Sequence, residues 1–278
     1  MNKDFLWVEK YRPKTIEETI LPAELKATFQ QFVDQKNIPN LILSGSAGVG
    51  KTTVARAMLE ELGCDYIIIN GSNEGRMIDT LRNEIANFAS SVSLAGGRKY
   101  VILDEADYLT PNAQAALRNL METFSKTTRF VLTCNYVEKI IDPIQSRCQV
   151  FGITPPSKKD VAIRINSILH TEGVTAKPED LVSIINSGYP DIRRILNSCQ
   201  RQVVNGELKI DKQSLIESNY VDKIVTLLSS KPDKKQLFTS IRQLLADSQV
   251  KDYTALYRSL YDNLDSFATG FNLPSRTN

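Results

Sequence analysis

Residues 45–52, Gly-Ser-Ala-Gly-Val-Gly-Lys-Thr, match the pattern GxxxxGK[ST] in full, and no other stretch so narrows the folds open to this chain. An apolar run, Leu41-Ile42-Leu43, precedes it, and a helix-compatible run from Thr53 to Leu62 follows. Strand, glycine loop and helix in that order make a phosphate-binding loop. Gly45, Gly48 and Gly50, with Val49 between the last two, let successive N–H groups turn inward on an anion. The helix that opens at Thr53 adds the partial positive charge of its N-terminus. Lys51 then reaches the β- and γ-phosphates, and the Thr52 hydroxyl ligates Mg²⁺. The expected ligand is a nucleoside triphosphate.

At 278 residues the chain has room for two or three domains. No apolar run is long enough to span a bilayer, so no membrane partner is expected. Met1-Asn2-Lys3-Asp4-Phe5 lacks a signal peptide's apolar centre, which points to a cytoplasmic setting. A net charge of +2 does not advertise nucleic-acid binding, so any such binding must come from a local arrangement of Lys and Arg. Cys64, Cys134, Cys148 and Cys199 form no CxxC pair and are expected to be buried thiols rather than a disulfide or zinc site. His170, near the end of a helical run, is given no catalytic role.

Apolar, β-rich runs recur at Leu41–Leu43, Tyr66–Ile69, Tyr100–Leu103, Phe130–Leu132 and Gln149–Phe151. Helical patterns alternate with them at Glu24–Val33, Thr53–Leu62, Met77–Ser90 and Pro111–Phe124. That alternation predicts an α/β fold, a parallel sheet covered by helices on both faces. Thr154-Pro155-Pro156-Ser157 marks a change, after which the chain reads as helices without a convincing strand: Lys158–His170, Pro178–Asn186 and Ile192–Val204, closed by Asn205-Gly206. A second helical block runs from about Ile216 to Phe271. Three domains are therefore expected: residues 1–152 around the nucleotide, a small helical domain over 153–215, and an all-helical block over 216–278.

Parallel strands bind ligands beyond their carboxyl ends. Tyr100-Val101-Ile102-Leu103 ends in Asp104-Glu105, an acid pair that is costly at a buried strand end unless a metal or hydrogen bonds compensate it. Beside the phosphate loop, Asp104 holds Mg²⁺ and Glu105 polarises the attacking water as general base. Thr133-Cys134-Asn135 ends the next strand, where Asn135 can bond both the γ-phosphate and the water. Arg147, in Ser146-Arg147-Cys148, can lend charge to a phosphoryl-transfer transition state.

Taken in order, these stations resemble the AAA+ ATPases, and more narrowly the sliding-clamp loaders of the replication factor C small-subunit type. Trp7-Val8-Glu9-Lys10-Tyr11-Arg12-Pro13 looks like the family's N-terminal signature, and Asp104-Glu105-Ala106-Asp107 like its acidic box. Ala113-Gln114-Ala115-Ala116-Leu117-Arg118 with Met121-Glu122, Arg129-Phe130 to Asn135-Tyr136, and Ser146-Arg147-Cys148 complete the likeness over about residues 5–210. Ile20-Leu21-Pro22-Ala23, Phe88-Ala89-Ser90 and Tyr189-Pro190-Asp191-Ile192-Arg193 read like the large subunit of the bacteriophage T-even-type loader.

The resemblance implies an AAA+ phosphate-loop domain, a helical lid and a helical collar, although the block after residue 215 is shorter than the family's collar. It implies an ATPase that uses ATP and Mg²⁺, is stimulated by clamp and DNA, and works only in an oligomer. Val8, Glu9, Lys10 and Tyr11 with Ile20 would wrap the adenine, and Arg193 would be the lid's sensor arginine. Arg147 would be a finger acting on a neighbour's ATP. Implied partners are the sliding clamp, primer–template DNA, and other loader subunits in a homo-oligomeric arc with a companion chain, in a host cytoplasm if phage-encoded. Arg76, Arg82, Lys99 and Arg118 fall on segments that track DNA phosphates in the family, and Gln114 could relay that contact to Glu105. A branch-migration or initiator-type AAA+ motor is the alternative.

Overall fold

The computed structural model describes residues 5–72, 78–93, 95–209, 220–229, 233–247, 257 and 260. The chain divides into two compact units, Met1–Glu172 with Gly188–Arg201, and Gly173–Ser187 with Gln202–Asn278.

The first unit is built on five parallel strands: β1 (Leu41–Ser44), β2 (Tyr66–Asn70), β3 (Lys99–Asp104), β4 (Thr128–Cys134) and β5 (Gln149–Gly152). Their order in the sheet is β2-β3-β4-β1-β5. Alternate side chains divide the core between the faces. Leu41, Leu43, Tyr100, Ile102 and Val131 pack with Phe29 and Val33 of α2 (Ala23–Asp34) and with Val54 and Met58 of α3 (Lys51–Leu62). Ile42, Val101, Leu103, Phe130 and Leu132 pack with Leu81 and Ile85 of α4 (Ile78–Ser90) and with Leu117 and Met121 of α5 (Pro111–Thr123). Because both faces are covered, the central strands read as unbroken apolar runs.

Local chemistry sets the helix ends. The Thr110 hydroxyl accepts from Ala113 N–H at 3.3 Å ahead of Pro111, which starts α5. Ser157 accepts from Asp160 N–H at 3.1 Å and starts α7 (Lys158–Thr171). The unit also holds two single-turn helices, α1 (Trp7–Lys10) and α6 (Asp142–Gln145), and the longer α9 (Ile192–Arg201).

The second unit contains α8 (Pro178–Gly188) as far as Ser187, α10 (Tyr220–Ser229) and α11 (Lys234–Asp247), the last two packed on each other. It also corrects the expectation of a strand-free region. Helix α9 stops at Arg201, and β6 (Val203–Val204) pairs antiparallel with β7 (Glu207–Leu208). Asn205 and Gly206, at φ +52° and +76°, make the two-residue turn. Two β-branched residues before Asn-Gly form a hairpin signal that outweighs reading Asn-Gly as a helix terminator. Met77 and most of the expected helix after Asp247 lie outside the described residues.

Candidate nucleotide-binding site

The strand order sets the carboxyl ends of β3, β4 and β1 side by side, so three loops converge on one cavity. β1 runs into the glycine loop, where Gly45 N–H donates to the Cys134 carbonyl at 3.2 Å. Gly48 sits at φ +76°, and a Cβ there would come within 2.2 Å of the Asp191 side chain. Only glycine lets the loop lie this close to the start of α9, where Ile192 N–H donates to the Gly48 carbonyl at 3.2 Å.

Lys51 opens α3 and is only 9% exposed. Its ammonium donates to the carbonyls of Gly45 and Ser46 and to Asn135 Oδ1, each at 2.8 Å. Burial lowers its pKa, and the carboxylates of Asp104, Asp107 and Glu105 pull it back up. Burial also pushes the adjacent Cys134 thiol up to about 12, so it is a neutral wall beside a cationic centre.

Asp104 Oδ1 accepts from Thr52 Oγ1 and from Thr133 Oγ1, both at 2.6 Å. Thr133 Oγ1 in turn accepts from Glu105 N–H at 3.1 Å, so one hydroxyl joins the two acids. Glu105 has φ +54°, a left-handed backbone of the kind that costs about 1–3 kcal/mol and gathers at functional sites. Asp107 is 8% exposed, and its Oδ2 accepts from the N–H groups of Asn135 (3.1 Å) and Tyr136 (3.3 Å), fixing the turn that carries Asn135. Thr52 and Asp104 offer two hard oxygens at the cavity. One hydroxyl and one carboxylate suit Mg²⁺, which is held by few protein oxygens and keeps phosphate and water as most of its ligands.

Val8, Tyr11, Pro13, Thr19 and Ile20 line the opposite wall with Ile168 and Leu196 of α7 and α9. The segment around α1 is strapped to those helices. Trp7 N–H donates to Gln200 Oε1 at 2.9 Å, and Gln200 Nε2 donates to the Phe5 carbonyl at 2.6 Å. Lys10 and Tyr11 both donate to Glu172 Oε1, at 2.8 and 2.6 Å, and hold that carboxyl below its ordinary pKa. Arg164 Nη2 donates to the Tyr11 carbonyl at 3.1 Å.

Of the residues expected at the nucleotide, the cavity gathers Val8, Tyr11, Ile20, Gly48, Val49, Gly50, Lys51, Thr52, Thr53, Asp104, Glu105, Asn135 and Arg193. Gly45 contributes the carbonyl that receives Lys51. Glu9 pairs outward with Arg12 at 2.5 Å and Lys10 with Glu172, so neither side chain lines the cavity. Arg147, expected at a neighbour's nucleotide rather than this one, lies off the cavity: its Nη1 donates to the Pro143 carbonyl at 2.7 Å, and its Nη2 lies 2.5 Å from Glu122 Oε1.

The residues expected at DNA divide. Arg82 is exposed on α4, the Arg118 side chain on α5 is 42% exposed, and Arg76 lies outside the described residues. Lys99 is a correction, because it is 3% exposed and its ammonium donates to the carbonyls of Phe88 and Ser91 and to Ser91 Oγ. Gln114 spends its amide on Leu109 O, Lys139 O and Ile141 N–H, bracing the loops around α5 rather than reaching toward Glu105. Sequence reasoning missed Thr133, Asp107 and Arg164. Thr133 had a signal, a hydroxyl in the otherwise apolar run Phe130–Cys134; Arg164, on an apolar helix face beside Val161, Ile165 and Ile168, had a weaker one.

A family model for the ATPase family associated with various cellular activities (AAA) matches residues 41–155, from β1 past β5. The replication factor C small subunit of Aeropyrum pernix is 38% identical over 258 residues, 91% of this chain and 74% of that protein. This chain belongs to the replication factor C small-subunit family. The counterpart from Sulfolobus acidocaldarius is 39% identical over 217 residues, 76% of this chain. There the chain spans just under two thirds of its relative's length, 66%. Among solved structures, the Thermotoga maritima RuvB Holliday junction branch migration motor superposes with a TM-score of 0.64 over 91% of each chain. At 16% identity that likeness shows a shared fold. No helix among the described residues is long and apolar enough to cross a membrane.

Proposed function

We propose that the chain is the ATP-hydrolysing motor subunit of a sliding-clamp loader, which opens the DNA polymerase clamp and loads it onto primer–template DNA during replication. One observation carries this reading. The phosphate cradle, both acids, Asn135 and Arg193 meet in one cavity, whereas Arg147 stands off it, beside Glu122. A cation placed so is suited to another protomer's nucleotide, which calls for more than one copy of the chain; the resemblance to clamp loaders adds a homo-oligomeric arc with a companion chain. Membership of a family whose relatives are named replication factor C supports the same reading.

In this account the loop N–H groups and Lys51 grip the triphosphate, and Val8, Tyr11 and Ile20 enclose the base. Glu105 takes the proton of the attacking water while Asn135 orients that water against the γ-phosphate. Thr52 and Asp104 would hold Mg²⁺, which when bound neutralises charge developing on the phosphate oxygens. Arg193 senses the phosphates from α9, and a neighbour's Arg147 completes the charge. Arg82 and Arg118, with Arg76, contact duplex phosphates, which gives binding by shape and strong salt dependence. Residues 153–215 serve as lid and 216–278 as collar. Ile20–Ala23 and Tyr189–Arg193 favour the bacteriophage T-even-type branch and thus a host cytoplasm; a phylogeny that includes phage loaders tests this.

The functional test is turnover of the assembled complex, with and without clamp and primed DNA. Glu105→Gln should bind ATP and clamp normally and lose roughly 100- to 1,000-fold in DNA-stimulated turnover. Wild-type turnover by that variant removes the base assignment. Strand displacement without any clamp dependence would favour a branch-migration motor instead.

A further inference from the structure

The surface that carries Arg147 has an internal order of its own. Asn40 Nδ2 donates to the Arg147 carbonyl at 3.3 Å, and Asn40 Oδ1 accepts from Phe130 N–H at 2.9 Å, so the backbone at Arg147 is tied to β4. The guanidinium is held at two further points, the Pro143 carbonyl on Nη1 and Glu122 on Nη2. Glu122 lies in the last turn of α5, one turn beyond Arg118, whose Nε stands 3.8 Å from the same carboxylate oxygen. One carboxylate thus faces two arginines. One belongs to the segment proposed for DNA and the other is the proposed finger.

We propose that Glu122 is a positioning residue for Arg147, fixing the guanidinium on the protomer surface in the orientation from which it enters the neighbour's site. This rests on the reading of Arg147 as a finger in trans. An arginine side chain carries much rotamer entropy, which a long, half-exposed side chain loses again whenever it is ordered. Two anchors remove most of that freedom beforehand and occupy two of the five N–H groups, leaving three for phosphate oxygens. The pair is 38% and 48% exposed, so as a surface ion pair it adds little to folding stability. Its effect belongs to geometry. When a DNA phosphate engages Arg118, Glu122 is left to Arg147 alone, so the same carboxylate links DNA contact to finger order.

The experiment uses the assembled complex with its clamp and primed DNA, and compares Glu122→Ala, Glu122→Gln and Arg147→Ala. Glu122→Ala should lower kcat roughly tenfold with little change in KM for ATP, because its own cradle is intact. Glu122→Gln keeps a carbonyl acceptor at the same reach and should recover most of that loss. The readout that a structural role would not move is complementation. Subunits bearing Glu105→Gln cannot hydrolyse ATP but still present a normal finger, so mixing them into Glu122→Ala arcs should restore turnover, as it should for Arg147→Ala. If Arg147→Ala turns over normally, the trans-finger reading fails and takes this inference with it. If Arg147→Ala is impaired and complemented, while Glu122→Ala is either normal or impaired without complementation, the positioning role alone is overturned.

Discussion

The cradle around Lys51 and the corner around Arg147 both present cations suited to phosphate, and the protein builds them in opposite ways. Lys51 is buried, each of its three ammonium donors has a partner, and its neighbours Asp104, Thr133 and Asn135 are themselves held by other residues. Arg147 is more than a third exposed and leans on one surface carboxylate and one carbonyl. Buried polar networks tolerate no unpaired member and so hold one geometry, whereas an exposed pair can exchange partners at little cost. When nucleotide arrives, Lys51 exchanges at least one of these partners for a phosphate oxygen while the residues around it stay held. In the proposed reading, the corner is completed by another chain.

The largest break in that contrast is Lys51→Ala. Loss of the ammonium should weaken ATP binding on the order of 100-fold, as expected for charge-assisted hydrogen bonds, and lower stability by about 1–3 kcal/mol without unfolding the chain, because three oxygens lose their donor. Equilibrium binding of a fluorescent ATP analogue with parallel circular dichroism checks this, and undiminished affinity would remove Lys51 from the cradle. Thr133→Val comes next. It strips a hydrogen bond from Asp104 and leaves Glu105 N–H without its acceptor, so unfolding stability should fall by about 1–3 kcal/mol and turnover should fall with it. Thr133→Ser should restore both. A Thr133→Val protein with unchanged melting and unchanged turnover would show that the two acids need no common anchor.

The smallest effects separate a buried cation from an exposed one. Arg118→Ala should reduce DNA affinity a few-fold and lower the salt dependence of binding by about one phosphate contact, with melting unchanged. Lys99→Met should do the reverse. It leaves the carbonyls of Phe88 and Ser91 without their donor and lowers stability by roughly 1–2 kcal/mol, with the salt slope unmoved. A changed salt slope for Lys99→Met would return that residue to the DNA surface.

Lys99 also shows what the sequence can and cannot convey. The glycine loop, the acid pair and Asn135 were legible because each stands at a fixed offset from an apolar run, and a parallel sheet brings such offsets to one edge. Burial of a lysine at the start of a strand depends on where the end of α4 lies, and residue type carries no trace of that. Thr133 acts through β3–β4 pairing with residues 28 and 29 positions away, a relation that register creates and local pattern does not. Gln200 and Glu172 hold the N-terminal segment across 193 and 161 positions, beyond any local signal. The hairpin at 203–208 was within reach, since Val-Val before Asn-Gly carries it, and was misread because a helix precedes it.

The central claim is that nucleotide is hydrolysed between protomers, and the dependence of ATPase rate on subunit concentration tests it most directly. Specific activity should rise steeply with concentration as arcs assemble, and Arg147→Ala should abolish that rise while ATP binding persists. Full specific activity from a dilute, monomeric chain, unaffected by Arg147→Ala, would contradict it.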